Sequence, residues 1–245
     1  MIGRELRPPV FEIGLKGYLW GEAAVALAVA ADRLAGELDV SIVFDPQAVD
    51  IAAVAAATHH LSVFAQHLDP LEPGRGVGAM LAEAVREAGA SGAMLNHSER
   101  PMPLSDIARA VERAKQVGLR TLVYADSPEQ AAIVAGFGPD IVLAEPPELI
   151  AGPRSAATEM RGFVERAVEL VGDVDPRIVV MCGAGVQGPE DVAAMMALGV
   201  GGTGSSSGIL MAPDPVGRMT EMIAAMRRAW DTAHARADVA RGGDR

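Results

Sequence analysis

The sequence predicts an α/β fold in which eight parallel strands close into a single (β/α)8 barrel. Eight short apolar runs alternate with Ala-rich helical patterns, and this alternation is typical of parallel strand pairing. The chain of 245 residues also has the usual size of such a barrel, about 250 residues. Half of the residues are hydrophobic, which is enough to bury one large core. We therefore expect one barrel domain over residues 1–245, with a frayed tail at 237–245.

The apolar runs set the order of the elements along the chain. They predict strands at Val10–Leu15, Ser41–Phe44, Ser62–Gln66, Gly92–Leu95, Arg120–Tyr124, Ile141–Ala144, Ile178–Met181 and Val200–Thr203. Helical patterns between them include Glu22–Leu38, Leu104–Val117, Pro128–Ala135, Ala156–Leu170 and Pro189–Ala197, and a last helix at Val216–Arg236 covers the final strand. In such a barrel the chemistry collects at the C-terminal ends of the strands, so the residues that directly follow each strand are the candidate site residues.

Composition narrows the partners that this chain can have. The formal net charge of −11 argues against nucleic acid or an anionic membrane, because both need a basic face. A phosphorylated substrate needs only a local positive site. Cys182 is the single cysteine, so an internal disulfide is excluded. The N-terminus has no signal pattern and the apolar stretch Ala23–Ala31 is too short for a membrane span, so we expect a cytoplasmic protein.

The stretch Asn96–Arg100 follows the fourth predicted strand and concentrates polar chemistry in a few positions. Ser98 and Glu99 suit the N-terminus of a helix, where a hydroxyl caps free N–H groups and a carboxylate favours the dipole. A histidine held at such a helix end is pushed towards its neutral form, so His97 could donate a hydrogen bond to a substrate carbonyl. The alternative is a helix cap beside a surface histidine.

Glu145 ends the sixth apolar run and precedes Pro146 and Pro147, which restrict the backbone. A carboxylate near apolar side chains such as Leu143 has its charged form disfavoured, which raises its basicity. The residue is therefore a candidate base for removing a proton from carbon beside a carbonyl. The alternative is a solvated loop acid, as expected for Glu148.

Positive charge and glycine-rich turns follow other predicted strands. Lys16, after the first strand, could neutralise a phosphate or a developing oxyanion, although a solvated lysine is the alternative. The turn Gly183–Gly185 and the hydroxyls of Ser206 and Ser207 follow the seventh and eighth strands. This is the usual place for phosphate in such a barrel, where backbone N–H groups hold the anion.

Four segments, in order, resemble the triosephosphate isomerase family in its archaeal branch. Asn96–Arg100 resembles the family's electrophile motif, and Phe64–Pro70 its third-strand segment. Ala144–Ile150 is similar to the segment that carries the catalytic base, and Cys182–Val186 to the seventh loop. The similarity extends from about Val10 to about Met222, which is nearly the whole chain.

The resemblance implies a TIM barrel isomerase that interconverts a small ketose phosphate and an aldose phosphate, of the dihydroxyacetone phosphate and glyceraldehyde 3-phosphate type, through an enediol(ate). The family is an established example of a glutamate base with a neutral histidine electrophile. It implies no cofactor and no metal, and a homodimer or homotetramer with a contact loop at His67–Gly78. The residues implied are Glu145 (base), His97 (electrophile) and Lys16 (charge) for catalysis, Gly14, Lys16, Gly183, Gly185, Ser206 and Ser207 for substrate and phosphate, and Ser98 and Glu99 in support, with Glu99 pairing with Lys16.

Three positions depart from the family pattern. Gly14 stands where the family has Asn, and Val77-Gly78 where it has Thr-Gly. The sixth loop reads Ile150–Arg154, with a proline, in place of Ile-Gly-Thr-Gly. These changes affect the phosphate grip, the pocket volume and the lid. They leave two alternatives open: an isomerase of a tetrulose phosphate with the same mechanism, and a barrel that binds phosphorylated metabolites with weak catalysis.

Overall fold

The computed structural model describes residues 6–146 and 161–242, with side chains as far as residue 235. In this part of the chain eight parallel strands form a closed barrel in sequence order, and the last strand pairs with the first. The predicted fold class is confirmed. The strands are β1 Val10–Gly14, β2 Ser41–Asp45, β3 Ser62–Ala65, β4 Gly92–Leu95, β5 Arg120–Ala125, β6 Ile141–Ala144, β7 Val179–Cys182 and β8 Gly202–Ser205.

Helices connect the strands around the outside of the barrel. Three of the described helices begin with a proline, at Pro128, Pro189 and Pro215, where the backbone N–H that proline lacks would have no partner within the helix. In the described part of the chain, no helix is both long and apolar enough to cross a membrane. The helices are α1 Gly21–Leu38, α2 Ile51–Ala57 (preceded by a 3-10 turn at Ala48–Asp50), α3 Ala82–Glu87, α4 Leu104–Val117, α5 Pro128–Ala135, α6 Arg161–Val174, α7 Pro189–Met196, α8 Ser207–Leu210 and α9 Pro215–Gly242.

The core has two layers because successive strand residues point to opposite faces of the sheet. On β5, Leu122 and Tyr124 belong to the cluster that fills the barrel interior. Val123 and Ala125, which alternate with them, pack against the surrounding helices. Because both faces are covered, the strands read as continuous apolar runs, and these runs made them predictable.

The eighth strand lies two residues later than predicted, at Gly202–Ser205 instead of Val200–Thr203. A side chain at Gly202 would overlap the carbonyl oxygen of Val10, and one at Gly204 would overlap the carboxyl of Glu12. Glycine is needed here because β1 passes so close. The prediction placed this strand too early because glycine is disfavoured in strands.

Other boundaries differ by smaller amounts. β1 ends at Gly14 and not at Leu15, because Lys16 adopts a left-handed conformation with φ of 46° and turns the chain. The predicted helix Ala156–Leu170 begins outside the described residues, and α6 extends to Val174. The last helix continues beyond the predicted Arg236 to Gly242, whereas the fraying of 237–245 stays a prediction.

Candidate active site

The strand ends open into one cavity at the C-terminal mouth of the barrel. Seven of the predicted site residues line it: Lys16, His97, Glu145, Gly183, Gly185, Ser206 and Ser207. A second cavity adjoins it and shares Lys16 and His97 with the first, while Gly14 and Glu99 line only this second one. Residues that directly follow β1, β4, β6, β7 and β8 therefore converge on one place.

Lys16 is held in an unusual backbone conformation by two side-chain amides. Its φ of 46° is rare for a residue with a side chain. Its carbonyl oxygen accepts hydrogen bonds from Nε2 of Gln47 and, at 3.1 Å, from Nε2 of Gln66. The ammonium Nζ lies 2.6 Å from Glu99 Oε1, so the ion pair that the resemblance implies is present. The strained turn thus directs the lysine to the mouth of the cavity.

His97 is a neutral imidazole with a defined tautomer. Its Nδ1 accepts a hydrogen bond of 3.0 Å from the backbone N–H of Glu99, so the ring proton of the neutral form is on Nε2. Burial, reinforced by the nearby charge of Lys16, lowers the pKa of His97 to about 4. The ring also meets Tyr124 edge-on, with centroids 4.7 Å apart. A donor N–H is therefore available at neutral pH.

The prediction that Ser98 and Glu99 begin a helix is wrong. Both residues lie in a turn, and the next helix begins only at Leu104. Two prolines, Pro101 and Pro103, explain the delay, because a residue that precedes proline is disfavoured in helical conformation. The neutral form of His97 was predicted correctly, but its cause is burial and the neighbouring lysine and not a helix end.

Asn96 is a supporting residue that the sequence reasoning missed. It is buried, with φ of 61°, a conformation that asparagine tolerates better than most residues. Its Nδ2 donates to the carbonyl of Tyr124 at 3.0 Å, and its Oδ1 accepts from the N–H of Met102 at 2.9 Å. It therefore ties the His97 loop to β5. A short polar residue directly after an apolar strand was the available signal.

Glu145 follows β6, and its backbone N–H donates to the carbonyl of Ala125 at 2.8 Å. Burial, then the charge of Glu12, raises the pKa of Glu145 to about 7, although Lys16 opposes this. A Cβ atom placed on Gly183 would lie 3.6 Å from Glu145 Oε1, so the carboxyl faces the seventh loop. Residues 147–160, which include Glu148 and the sixth loop with Arg154, lie outside the described residues.

The loops after β7 and β8 form the far wall of the cavity. Gly185 has φ of 68°, a left-handed conformation that favours glycine. The hydroxyl of Ser206 donates to the carbonyl of Gly14 at 2.6 Å, and that of Ser205 donates to the carbonyl of Val186 at 2.8 Å. These two hydroxyl groups therefore donate to the protein's own backbone and hold the two loops in place. The short helix α8 begins directly at Ser207.

Two buried carboxyl groups at the cavity floor also escaped the sequence reasoning. Glu12 is 7% exposed and lines both cavities, and Asp45, from β2, is fully buried and lines the second. Burial raises the pKa of both groups, and the mutual charge raises that of Asp45 further. A glutamate inside the apolar run of β1 was the available signal. Among the described residues, no three His, Cys, Asp or Glu side chains are grouped as a metal site would require.

The fold and the site together define a barrel enzyme equipped for acid–base chemistry, with a carboxyl and an imidazole whose pKa values are moved in opposite directions. The family model described as triosephosphate isomerase matches residues 16–226. The chain belongs to the triosephosphate isomerase family and is an isomerase, which confirms the resemblance.

Curated relatives agree over most of the chain. The triosephosphate isomerase of Pyrobaculum calidifontis is 39% identical over 219 residues, which are 89% of this chain and 96% of that protein. That of Methanobacterium bryantii is 36% identical over 217 residues, 88% of this chain and 96% of the relative. That of Methanothermus fervidus is 35% identical over 220 residues, 89% of this chain and 99% of the relative.

Proposed function

We propose that this isomerase interconverts dihydroxyacetone phosphate and glyceraldehyde 3-phosphate through an enediol(ate). The observation that carries the proposal is the pairing, in one cavity, of Glu145 with a pKa of about 7 and neutral His97 with a pKa of about 4. A base that titrates near neutral pH and a neutral donor are the two groups that this proton transfer needs. The family and its relatives support the choice of substrate.

Glu145 acts as the base. Its carboxylate removes a proton from the carbon beside the substrate carbonyl, and the C–H electron pair forms the C=C bond of the enediolate. The same carboxyl returns the proton to the neighbouring carbon. Burial supports this role because it disfavours the charged form and so makes the carboxylate a stronger base.

His97 and Lys16 stabilise the negative charge that develops on the substrate oxygens. The Nε2–H of His97 points away from the Glu99 amide that holds Nδ1, and it donates to the carbonyl oxygen. Lys16 supplies positive charge from the cavity mouth, steadied by its ion pair with Glu99. Donors fixed before the reaction need no reorganisation when the charge appears, which is the usual source of the largest catalytic effect.

The substrate phosphate lies against the loops that follow β7 and β8. Gly183 and Gly185 allow an anion to approach the backbone N–H groups closely, and Ser206 and Ser207 extend this wall of the cavity. Lys16 adds positive charge nearby. The assignment is carried over from the family, and the shared cavity supports it.

The chain also forms a homodimer or homotetramer in this proposal, with His67–Gly78 as the contact loop. Residues 72–78 are exposed, and Val77 has an apolar side chain fully open to solvent. An exposed loop of this kind is available for contact with a second copy of the chain. At the base of the loop, His67 Nε2 lies 3.2 Å from Asp69 Oδ1.

The test is a coupled isomerase assay on the purified protein, with dihydroxyacetone phosphate beside an erythrulose phosphate. Glu145→Gln serves as the blank, and Glu129→Gln, an exposed glutamate on α5, as the matched control. We expect triose turnover that Glu145→Gln abolishes and Glu129→Gln leaves intact. Faster turnover of the four-carbon sugar would contradict the triose assignment, and no turnover of either would contradict the isomerase function of this site.

A further inference from the structure

The side chain that Gly14 lacks is replaced in space by the carboxyl of Glu12. A Cβ atom placed on Gly14 would lie 2.5 Å from Glu12 Oε1, which is closer than real Cβ atoms approach any atom. On the other side the same carboxyl fills the space beside Gly204. Glu12 therefore lies between two glycines, at the floor of the cavity that Lys16, His97 and Glu145 line.

Asp45, beside Glu12, gives a second sign that a ligand contacts this floor of the cavity. Its side chain is completely buried, and within the part of the chain that the structure describes its carboxyl meets the carboxyl of Glu12 but no N–H group. It faces the space above Gly14, where Asp45 Oδ2 would lie 3.6 Å from the added Cβ. A buried carboxyl that no N–H group of the protein contacts is costly, and at an enzyme site such a group is typical of contact with a ligand.

Two buried carboxyls of like charge hold a proton between them, because the second ionisation would place two charges in a dry space. Burial raises the pKa of both Glu12 and Asp45, and the positive charge of Lys16 opposes this at Glu12. Such a pair can donate a hydrogen bond as well as accept one. The other titratable groups around Glu12 are Lys16, His97, Glu99, Tyr124 and Glu145.

We propose that Glu12 contacts the substrate, donating a hydrogen bond to the substrate oxygen nearest the cavity floor, with Asp45 as the partner that shares its proton. The inference rests on the proposed isomerase function. It accounts for the glycine at position 14, since the polar contact comes from β1 two residues earlier. The donor has moved along the strand and has not been lost.

The experiment compares kcat and KM for dihydroxyacetone phosphate in Glu12→Leu, Glu12→Gln, Glu12→Ala and the double variant Glu12→Ala with Gly14→Asn. Losing one preorganised donor lowers kcat by about 100-fold, so we expect this loss in Glu12→Leu and Glu12→Ala. The glutamine amide can still donate, so Glu12→Gln keeps most of the activity. In the double variant, an asparagine grown from position 14 enters the vacated space and restores at least part of kcat.

One further measurement and one control variant distinguish substrate contact by Glu12 from a purely structural role. Inhibition by inorganic phosphate reports the loops after β7 and β8 and stays unchanged in all Glu12 variants. Thr121→Val is the control variant, because it removes a polar side chain that is also buried on a barrel strand but does not line the cavity. It should leave kcat unchanged.

The inference is overturned if Glu12→Leu matches Glu12→Gln in kcat, or if adding Gly14→Asn to Glu12→Ala restores nothing. Parallel loss of phosphate inhibition and kcat would likewise reduce Glu12 to a structural role. If Glu12→Leu does not fold, the comparison of Glu12→Ala with the double variant decides. An active wild type with these outcomes overturns only the role of Glu12, whereas a wild type inactive on triose phosphate overturns the proposed function as well.

Discussion

Replacing Glu145 with glutamine should stabilise the folded protein at neutral pH while it abolishes activity. The pKa of this carboxyl is about 7 in the folded state, against 4.5 for the ordinary group. The folded state therefore binds the proton more tightly than the unfolded chain. Stability from this group is present below pH 4.5 and is lost as the pH rises through 7.

The magnitude follows from the two pKa values. The interval between 4.5 and about 7 corresponds to about 3 kcal/mol of folding free energy lost by pH 8. At pH 5.5 about 1 kcal/mol of this is already lost, so about 2 kcal/mol changes between the two conditions. Glutamine does not ionise, so the difference in unfolding free energy, variant minus wild type, should rise by that amount from pH 5.5 to pH 8.

The assay is urea-induced unfolding of both proteins at pH 5.5 and pH 8, at one protein concentration. The lower pH stays above the sequence isoelectric point of 4.9, where solubility is poorest. Glu129→Gln, on the surface of α5, is the control and should show no such pH dependence. An equal effect of Glu145→Gln at both pH values would refute the argument that burial has raised this pKa.

Three further predictions test other parts of the site. The imidazole of His97 should show no titration by NMR between pH 5.5 and 8, because its pKa is about 4. A ring that titrates near the ordinary pKa of 6.5 would contradict the role of His97 as a neutral donor. The variant His97→Gln should lower kcat by about 100-fold. Gly185→Ala should lower the free energy of unfolding in urea by about 1 kcal/mol, because the φ of 68° at this position disfavours a side chain. The variant should also raise KM more than it lowers kcat. Unchanged stability and KM would contradict a strained turn at Gly185. Asn96→Gly keeps the left-handed φ of 61° but loses both side-chain hydrogen bonds, so it should lower the free energy of unfolding by about 2 kcal/mol and also lower kcat. Asn96→Ala should lower the free energy of unfolding further, because alanine disfavours this backbone conformation. Equal stability of the two variants would show that the backbone conformation contributes nothing.

Local patterns were enough to predict the barrel and to place three polar candidates at one end of it, whereas their catalytic roles came from the resemblance to the family. Strands that are buried on both faces appear in the sequence as apolar runs, and the helices between them have Ala-rich helical patterns. The bounds of the helices Leu104–Val117 and Pro128–Ala135 were therefore predicted to the residue. Lys16, His97 and Glu145 were found because parallel strands bring their C-terminal ends to one mouth. Where the pattern is weak, as in the glycines of Gly202–Ser205, the prediction slipped by two residues.

The sequence by itself therefore determined the order of the elements and which polar residues follow them, because both depend on neighbours along the chain. Only the tertiary structure decided the state of those residues. Lys16 and Glu99 are 83 residues apart yet form an ion pair, and burial beside that lysine, not a helix end, makes His97 neutral. The meeting of Glu12 with Asp45 likewise depends on β1 lying beside β2. Burial and Coulomb interactions act between groups that are close in space, and sequence distance does not measure that closeness.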